Sequence, residues 1–130
     1  MAKVIVVDDE LGYRVSLEFF LRRAGHEVVA VGTPKLAIEQ AEGFRPEVLV
    51  VDWLLGEKKT GADLVSELRT RLPHLQVVVM SGLGTQIVRG QAEALRIFCM
   101  VDKPFEPNTL LEAVNAAVAG LASATGPIRA

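Results

Sequence analysis

Five short apolar runs, separated by stretches of helical spacing, constrain this chain more than any other feature. They are Lys3–Val7, Glu27–Val31, Glu47–Val51 leading into Asp52, Val77–Met80 and Ile97–Val101. Near-continuous Val, Ile and Leu is the pattern of strands buried on both faces. Between the first two runs, Leu17, Phe20, Leu21 and Ala24 recur at helical spacing within 11–24, and Gly25 supplies a stop. Thr33-Pro34 reads as an N-cap followed by proline at the first helical position, opening a helix to about Glu42 that stops at Gly43. Leu64, Val65, Leu68 and Leu72 mark a third helix ended by Pro73. Thr85–Leu95 is a weaker fourth, with Gly90 lowering its propensity. A fifth starts near Pro107 or Asn108 and uses Leu110, Leu111, Val114, Val118 and Leu121. Alternation at this spacing predicts an α/β fold with a doubly wound parallel sheet. The flavodoxin-like strand order 2-1-3-4-5 suits the count.

At 130 residues the chain is expected to be one domain over 1–121, followed by a small, polar tail or linker start over 122–130. Hydrophobic residues make up 50% of it, enough for a sizeable core. The net charge of -2 and the lack of a basic stripe argue against direct nucleic-acid binding. One cysteine excludes a disulfide framework and a Cys-based metal site. No apolar run reaches the length of a membrane span, and no signal-peptide pattern precedes the first strand. The expectation is a cytoplasmic protein without a membrane partner.

The polar residues that end the runs carry the chemistry. Asp8 and Asp9 follow the first, Asp52 the third, Ser81 the fourth and Lys103 the fifth. Taken alone, Asp52 is an ordinary turn residue after a strand. In an open α/β sheet, however, ligands bind in the crevice beyond the carboxyl ends of the strands. With strands one and three adjacent, Asp8, Asp9 and Asp52 converge there. Three carboxylates in one crevice repel each other and need a cation, raised pKa values or both. An all-oxygen donor set favours Mg²⁺, or Mn²⁺ in its place. A lysine and a serine hydroxyl beside it suit an oxyanion. The set supports either simple cation binding or in-line attack by a carboxylate on a phosphoryl group.

Asp8-Asp9, Asp52, Ser81 and Lys103-Pro104-Phe105, in this order and each at a strand end, resemble the two-component response-regulator receiver family. The similarity is to its single-domain, chemotaxis-regulator-like members and covers residues 3 to about 121. It implies that Asp52 is the phosphoacceptor, that Asp9 binds the metal directly and Asp8 mainly through water, and that the Leu54 carbonyl completes the protein's ligands. It implies further that Ser81 bonds a phosphoryl oxygen, that Lys103 pairs with the phosphoryl group, and that the Lys103–Pro104 bond is cis. The implied donor is a sensor histidine kinase or a histidine phosphotransfer protein. The implied output is a downstream protein or effector domain, bound through the face of the fourth helix, fifth strand and fifth helix. Dimerisation through the fourth and fifth helices is compatible with this. Such a chain is a signalling phosphoacceptor with only self-phosphotransfer and autodephosphorylation, not an enzyme acting on a separate substrate.

Three departures from the family pattern stand out. Met100 occupies the switch position, usually Phe or Tyr, that works with Ser81. Arg96-Ile97 replaces the usual Gly-Ala pair. The loop after Asp52 lacks the common proline and carries Glu57, Lys58 and Lys59, read as solvated. A flavodoxin-like electron carrier is disfavoured because Asp8-Asp9-Glu10 would repel a flavin phosphate. A Mg²⁺-dependent phosphohydrolase is disfavoured because the acceptor follows the third strand and there is no cap segment. A phosphorylation-independent interaction domain of the same fold stays open through Met100 and Arg96, as does the choice between a stand-alone receiver and one excised from a longer chain. Cys99 is expected to be buried. Trp53 is expected at the sheet edge or bordering the site, Gly82-Leu83-Gly84 as a loop, and His26 and His74 in polar surroundings without a metal role.

Overall fold

The computed structural model describes residues 2–53, 61–82 and 94–121. Its elements are β1 (Lys3–Val7), α1 (Leu11–Arg23), β2 (Glu27–Val31), α2 (Pro34–Phe44), β3 (Val48–Asp52), α3 (Gly61–Arg71), β4 (Gln76–Ser81), β5 (Cys99–Asp102) and α4 (Pro107–Gly120). Helix α4 is the fifth helix of the sequence pattern. The expected fourth helix up to residue 93, the loop of Gly56–Thr60, Leu54, most of Gly82-Leu83-Gly84 and the tail lie outside the described residues.

The five strands form one parallel sheet in the order β2-β1-β3-β4-β5, as the alternation predicts. Successive strand residues point to opposite faces, so each strand feeds two cores. Ile5, Val7, Leu49, Val51, Val77 and Val79 pack with Ala37 and Ala41 of α2 and Leu64, Val65 and Leu68 of α3. Val4, Val6, Val48, Val50, Val78 and Met80 pack with Leu17 and Leu21 of α1 and Leu110, Ala113, Val114 and Ala117 of α4. Each fully buried Leu, Ile or Val contributes roughly 1.5–3 kcal/mol relative to exposure.

Local signals explain most boundaries, and the departures have physical reasons. The Thr33 side chain accepts from the Leu36 amide and Pro34 opens α2. The helix runs through Gly43 to Phe44 and ends on Arg45 in the left-handed region (φ 53), not at Gly43. Pro46 bars its predecessor from the helical conformation, and that outweighs the weak preference of Gly43. Strand β5 starts two residues later than expected. Arg96 is left-handed (φ 55), and Ile97 and Phe98 turn into opposite cores before the ladder with β4 begins. In α4 the buried stripe is Leu110, Ala113, Val114 and Ala117, while Leu111, Val118 and Leu121 are half-buried. Trp53 is buried in the α2/α3 core instead of at an edge, because β3 is the central strand. Gly61 lies so close to it that a Cβ would sit 3.1 Å from the Asp52 carbonyl oxygen and from Trp53. Cys99 is half-buried because β5 is an edge strand.

At the amino end of the sheet the polar groups are matched. The Ala2 amide donates to His26 Nδ1 (3.1 Å), which places the ring proton on Nε2, 3.0 Å from Asn115 Oδ1. His26 keeps the expected polar partners but is buried, tying the residue before β1 and the start of β2 to α4. The Lys3 amide donates to Glu47 Oε1 (3.0 Å), and the Glu47 amide to the Lys3 carbonyl (2.8 Å).

Candidate functional site

The carboxyl end is built differently. Strands β1 and β3 are hydrogen-bonded neighbours, so Asp8 just beyond β1 and Asp52 at the end of β3 meet. One carboxylate oxygen from each of Asp8, Asp9 and Asp52 lies within 4.8 Å of the others. Asp8 is fully buried, Asp52 is buried and Asp9 is exposed. The Asp8 side chain is held from two directions. Its Oδ1 accepts from the Glu10 amide (2.9 Å) and its Oδ2 from Lys103 Nζ (2.8 Å). Its main-chain carbonyl accepts from the Arg14 guanidinium (2.8 Å), and its amide donates to the Val31 carbonyl (3.2 Å). Gly32 leaves room for that guanidinium, since a Cβ there would lie 2.8 Å from Arg14 Nη1.

Lys103 crosses from beyond β5 to bridge the two buried carboxylates, at 2.8 Å from Asp8 Oδ2 and 3.1 Å from Asp52 Oδ2. Burial pulls the lysine pKa down, but the hydrogen bonds and attraction of Asp8 and Asp52 outweigh it, leaving the pKa above its ordinary value. The ammonium is therefore charged at neutral pH. Its third side faces the Tyr13 ring, with Nζ 4.0 Å from the centroid. The Lys103 amide donates to the carbonyl of Ser81 (2.8 Å), tying the lysine's backbone to the end of β4. Ser81 is buried, one residue beyond the β3–β4 pair Asp52↔Met80. The Lys103–Pro104 peptide bond is cis.

The structure thus brings Asp8, Asp9, Asp52 and Lys103 together and sets Ser81 at the adjoining strand end. Leu54 lies outside the described residues. Met100 stands apart from this cluster, half-buried in β5 and packed against the α2/α3 core. Two contributors were not singled out from sequence, Arg14 and Tyr13. Their positions one helical turn into α1, after Asp8-Asp9, are the signal that could have found them.

The donor set fits a small divalent cation. Three carboxylates converge at hard-ligand spacing, and among the described residues no nitrogen or sulfur ligand belongs to the cluster. With a cationic lysine beside it, the same crevice suits an oxyanion.

A flavodoxin-like parallel sheet with an acidic crevice and a lysine at its carboxyl end is the architecture of receiver-type signalling domains. Residues 4–115 match the response regulator receiver domain family, and the chain belongs to that family, the receiver domains of two-component systems. It is 28% identical over 114 residues to the chemotaxis protein CheY of Thermotoga maritima, covering 87% of this chain and 94% of that protein. It is 35% identical over 117 residues to the response regulator FleR of Pseudomonas aeruginosa, covering 87% of this chain but 24% of FleR. The chain therefore spans nearly all of one relative and about a quarter of the other. Among solved structures, a response regulator receiver domain from Clostridium thermocellum superposes with a TM-score of 0.83 at 26% identity, over 92% of this chain and 95% of that one. CheY4 of Vibrio cholerae superposes at 0.82 and 25% identity, over 90% and 98%. No described helix is long and apolar enough to cross a membrane.

Proposed function

We propose that Asp52 accepts a phosphoryl group from a histidine kinase or a histidine phosphotransfer protein and that the modified domain signals by binding a downstream protein or effector domain. The observation that carries this is the Lys103 ammonium bridging Asp8 and Asp52 within a three-carboxylate crevice. A carboxylate oxygen of Asp52 attacks phosphorus in line. The O–P bond forms as the donor's N–P bond breaks, and the electron pair leaves with the imidazole nitrogen, which takes a proton from solvent. Lys103, already 3.1 Å from Asp52 Oδ2, meets the incoming phosphoryl oxygens, and the Ser81 hydroxyl supplies a hydrogen bond to one of them. Asp9, Asp52, Asp8 through water, and the Leu54 carbonyl would hold Mg²⁺, or Mn²⁺ in its place. When bound, the metal neutralises charge that the carboxylates and the phosphoryl oxygens would otherwise bring together. Hydrolysis of the acyl phosphate returns the resting state, so turnover is confined to the domain's own phosphorylation and dephosphorylation. A cytoplasmic location fits this reading.

Intact-mass measurement after incubation with acetyl phosphate, with and without Mg²⁺, tests it on wild type and Asp52→Ala. The expected result is one added phosphoryl group that needs Mg²⁺ and vanishes in the variant. An unlabelled wild type would instead favour a phosphorylation-independent interaction domain, a reading that Met100, which lacks an aromatic ring or hydroxyl at the switch position, also favours.

A further inference from the structure

We propose that Tyr13 is a positioning residue for Lys103, its ring face holding the ammonium beside Asp52 while the lysine changes partners during phosphoryl transfer. This rests on the phosphoacceptor reading above. The lysine ammonium has three N–H donors. Asp8 Oδ2 at 2.8 Å and Asp52 Oδ2 at 3.1 Å occupy one side of it, and the Tyr13 ring, 4.0 Å from Nζ to centroid, covers another. That distance is well inside the range at which the negative face of an aromatic ring attracts a cation.

The ring is itself held. Tyr13 projects from the first turn of α1 and packs against Phe105, two residues beyond Lys103, with centroids 5.8 Å apart and planes tilted by 50°. Beside the pair runs a cleft of about 370 Å³ lined by Glu10, Phe20, Tyr13, Phe105 and Pro107, among others. Lys103 does not line this cleft, whereas Tyr13 does.

The chemistry explains why an aromatic face suits this place. When Asp52 becomes an acyl phosphate, negative charge moves from its carboxylate to the phosphoryl oxygens. Lys103 must loosen its bond to Asp52 and reach outward, while buried Asp8 still draws it inward. A ring face attracts the ammonium without accepting a directional hydrogen bond, so it steadies the head group and leaves its N–H donors to the phosphoryl oxygens. An aliphatic residue at the same position would supply packing but no such attraction.

Tyr13→Leu and Tyr13→Phe separate these contributions in the full chain. By NMR, the Lys103 ε-methylene protons are expected upfield in wild type and in Tyr13→Phe, and shifted back in Tyr13→Leu. With acetyl phosphate and Mg²⁺, Tyr13→Leu is expected to label about fivefold more slowly, and Tyr13→Phe within about twofold of wild type. Thermal unfolding of each variant checks that a slow one is folded. The proposal is overturned if folded Tyr13→Leu labels at the wild-type rate, if Tyr13→Phe is as slow as Tyr13→Leu, or if wild type shows no ring-current shift at Lys103. If wild type itself does not label, the phosphoacceptor reading falls and takes this one with it. Wild-type labelling with an unimpaired leucine variant removes the tyrosine role alone.

Discussion

The two ends of the sheet solve opposite problems. At the amino end polar groups meet complementary ones: His26 lies between the Ala2 amide and Asn115, and Glu47 and Lys3 exchange bonds between the starts of β1 and β3. At the carboxyl end three carboxylates share a crevice with one ammonium among the described residues. One end is arranged for stability. The other holds like charges together, an arrangement that costs stability and is useful only if something else binds. The lesson is that chemistry is read from the end of a fold where the polar groups are poorly balanced.

Four substitutions sharpen or break this contrast, in descending order of effect. Asp52→Ala is expected to abolish labelling by acetyl phosphate without lowering the midpoint of thermal unfolding, since Lys103 keeps Asp8 and one like charge is gone. A clear drop in the midpoint would show that the carboxyl end is not strained. Lys103→Met leaves Asp8 buried without its ammonium. It should cost about 3–5 kcal/mol in urea unfolding with EDTA, part of which Mg²⁺ restores. Because the folded pKa of Lys103 is raised, its contribution is complete below the ordinary lysine value of 10.5. It is lost as pH rises through the folded value, so alkaline unfolding of this variant should lack that component.

His26→Leu at the other end removes the acceptor for the Ala2 amide and the donor to Asn115. A loss of about 1–3 kcal/mol is expected, with the labelling rate unchanged. A labelling defect equal to that of a site variant would show the two ends to be coupled. Glu47→Ala, which removes an exposed bond to the Lys3 amide, should cost no more than about 1 kcal/mol in the same urea titration.

The strands and the crevice were legible because both are set by spacing along the chain. Buried runs of Val and Ile announce parallel strands, and Asp8, Asp9, Asp52, Ser81 and Lys103 each sit just where a run ends. Contacts between distant residues were not legible. His26 meets a partner 89 residues away, so nothing near it in sequence marks it as buried. Tyr13 looks like one more residue of α1 until β5 delivers Lys103 over its ring. The sheet-edge alternative for Trp53 fails because its burial follows from the central position of β3, a property of the whole sheet. The end of α2 was a contest between two local signals. Pro46, the stronger one, stood two residues beyond the helix end.

The division of each strand between two cores restricts how a chain of this kind can change length. Ile5, Leu49 and Val77 serve one face, and Val4, Val50 and Val78 the other. A single-residue insertion within β3 would exchange the faces for everything after it, offering Asp52 to a hydrophobic layer in place of the crevice. An insertion of two would restore the faces but push the carboxylate almost 7 Å past Asp8, at roughly 3.3 Å per residue. Neither change leaves a usable crevice. Descendants of this sequence are free to lengthen or shorten between their strands, whereas within a strand substitution is the route of change that keeps the site.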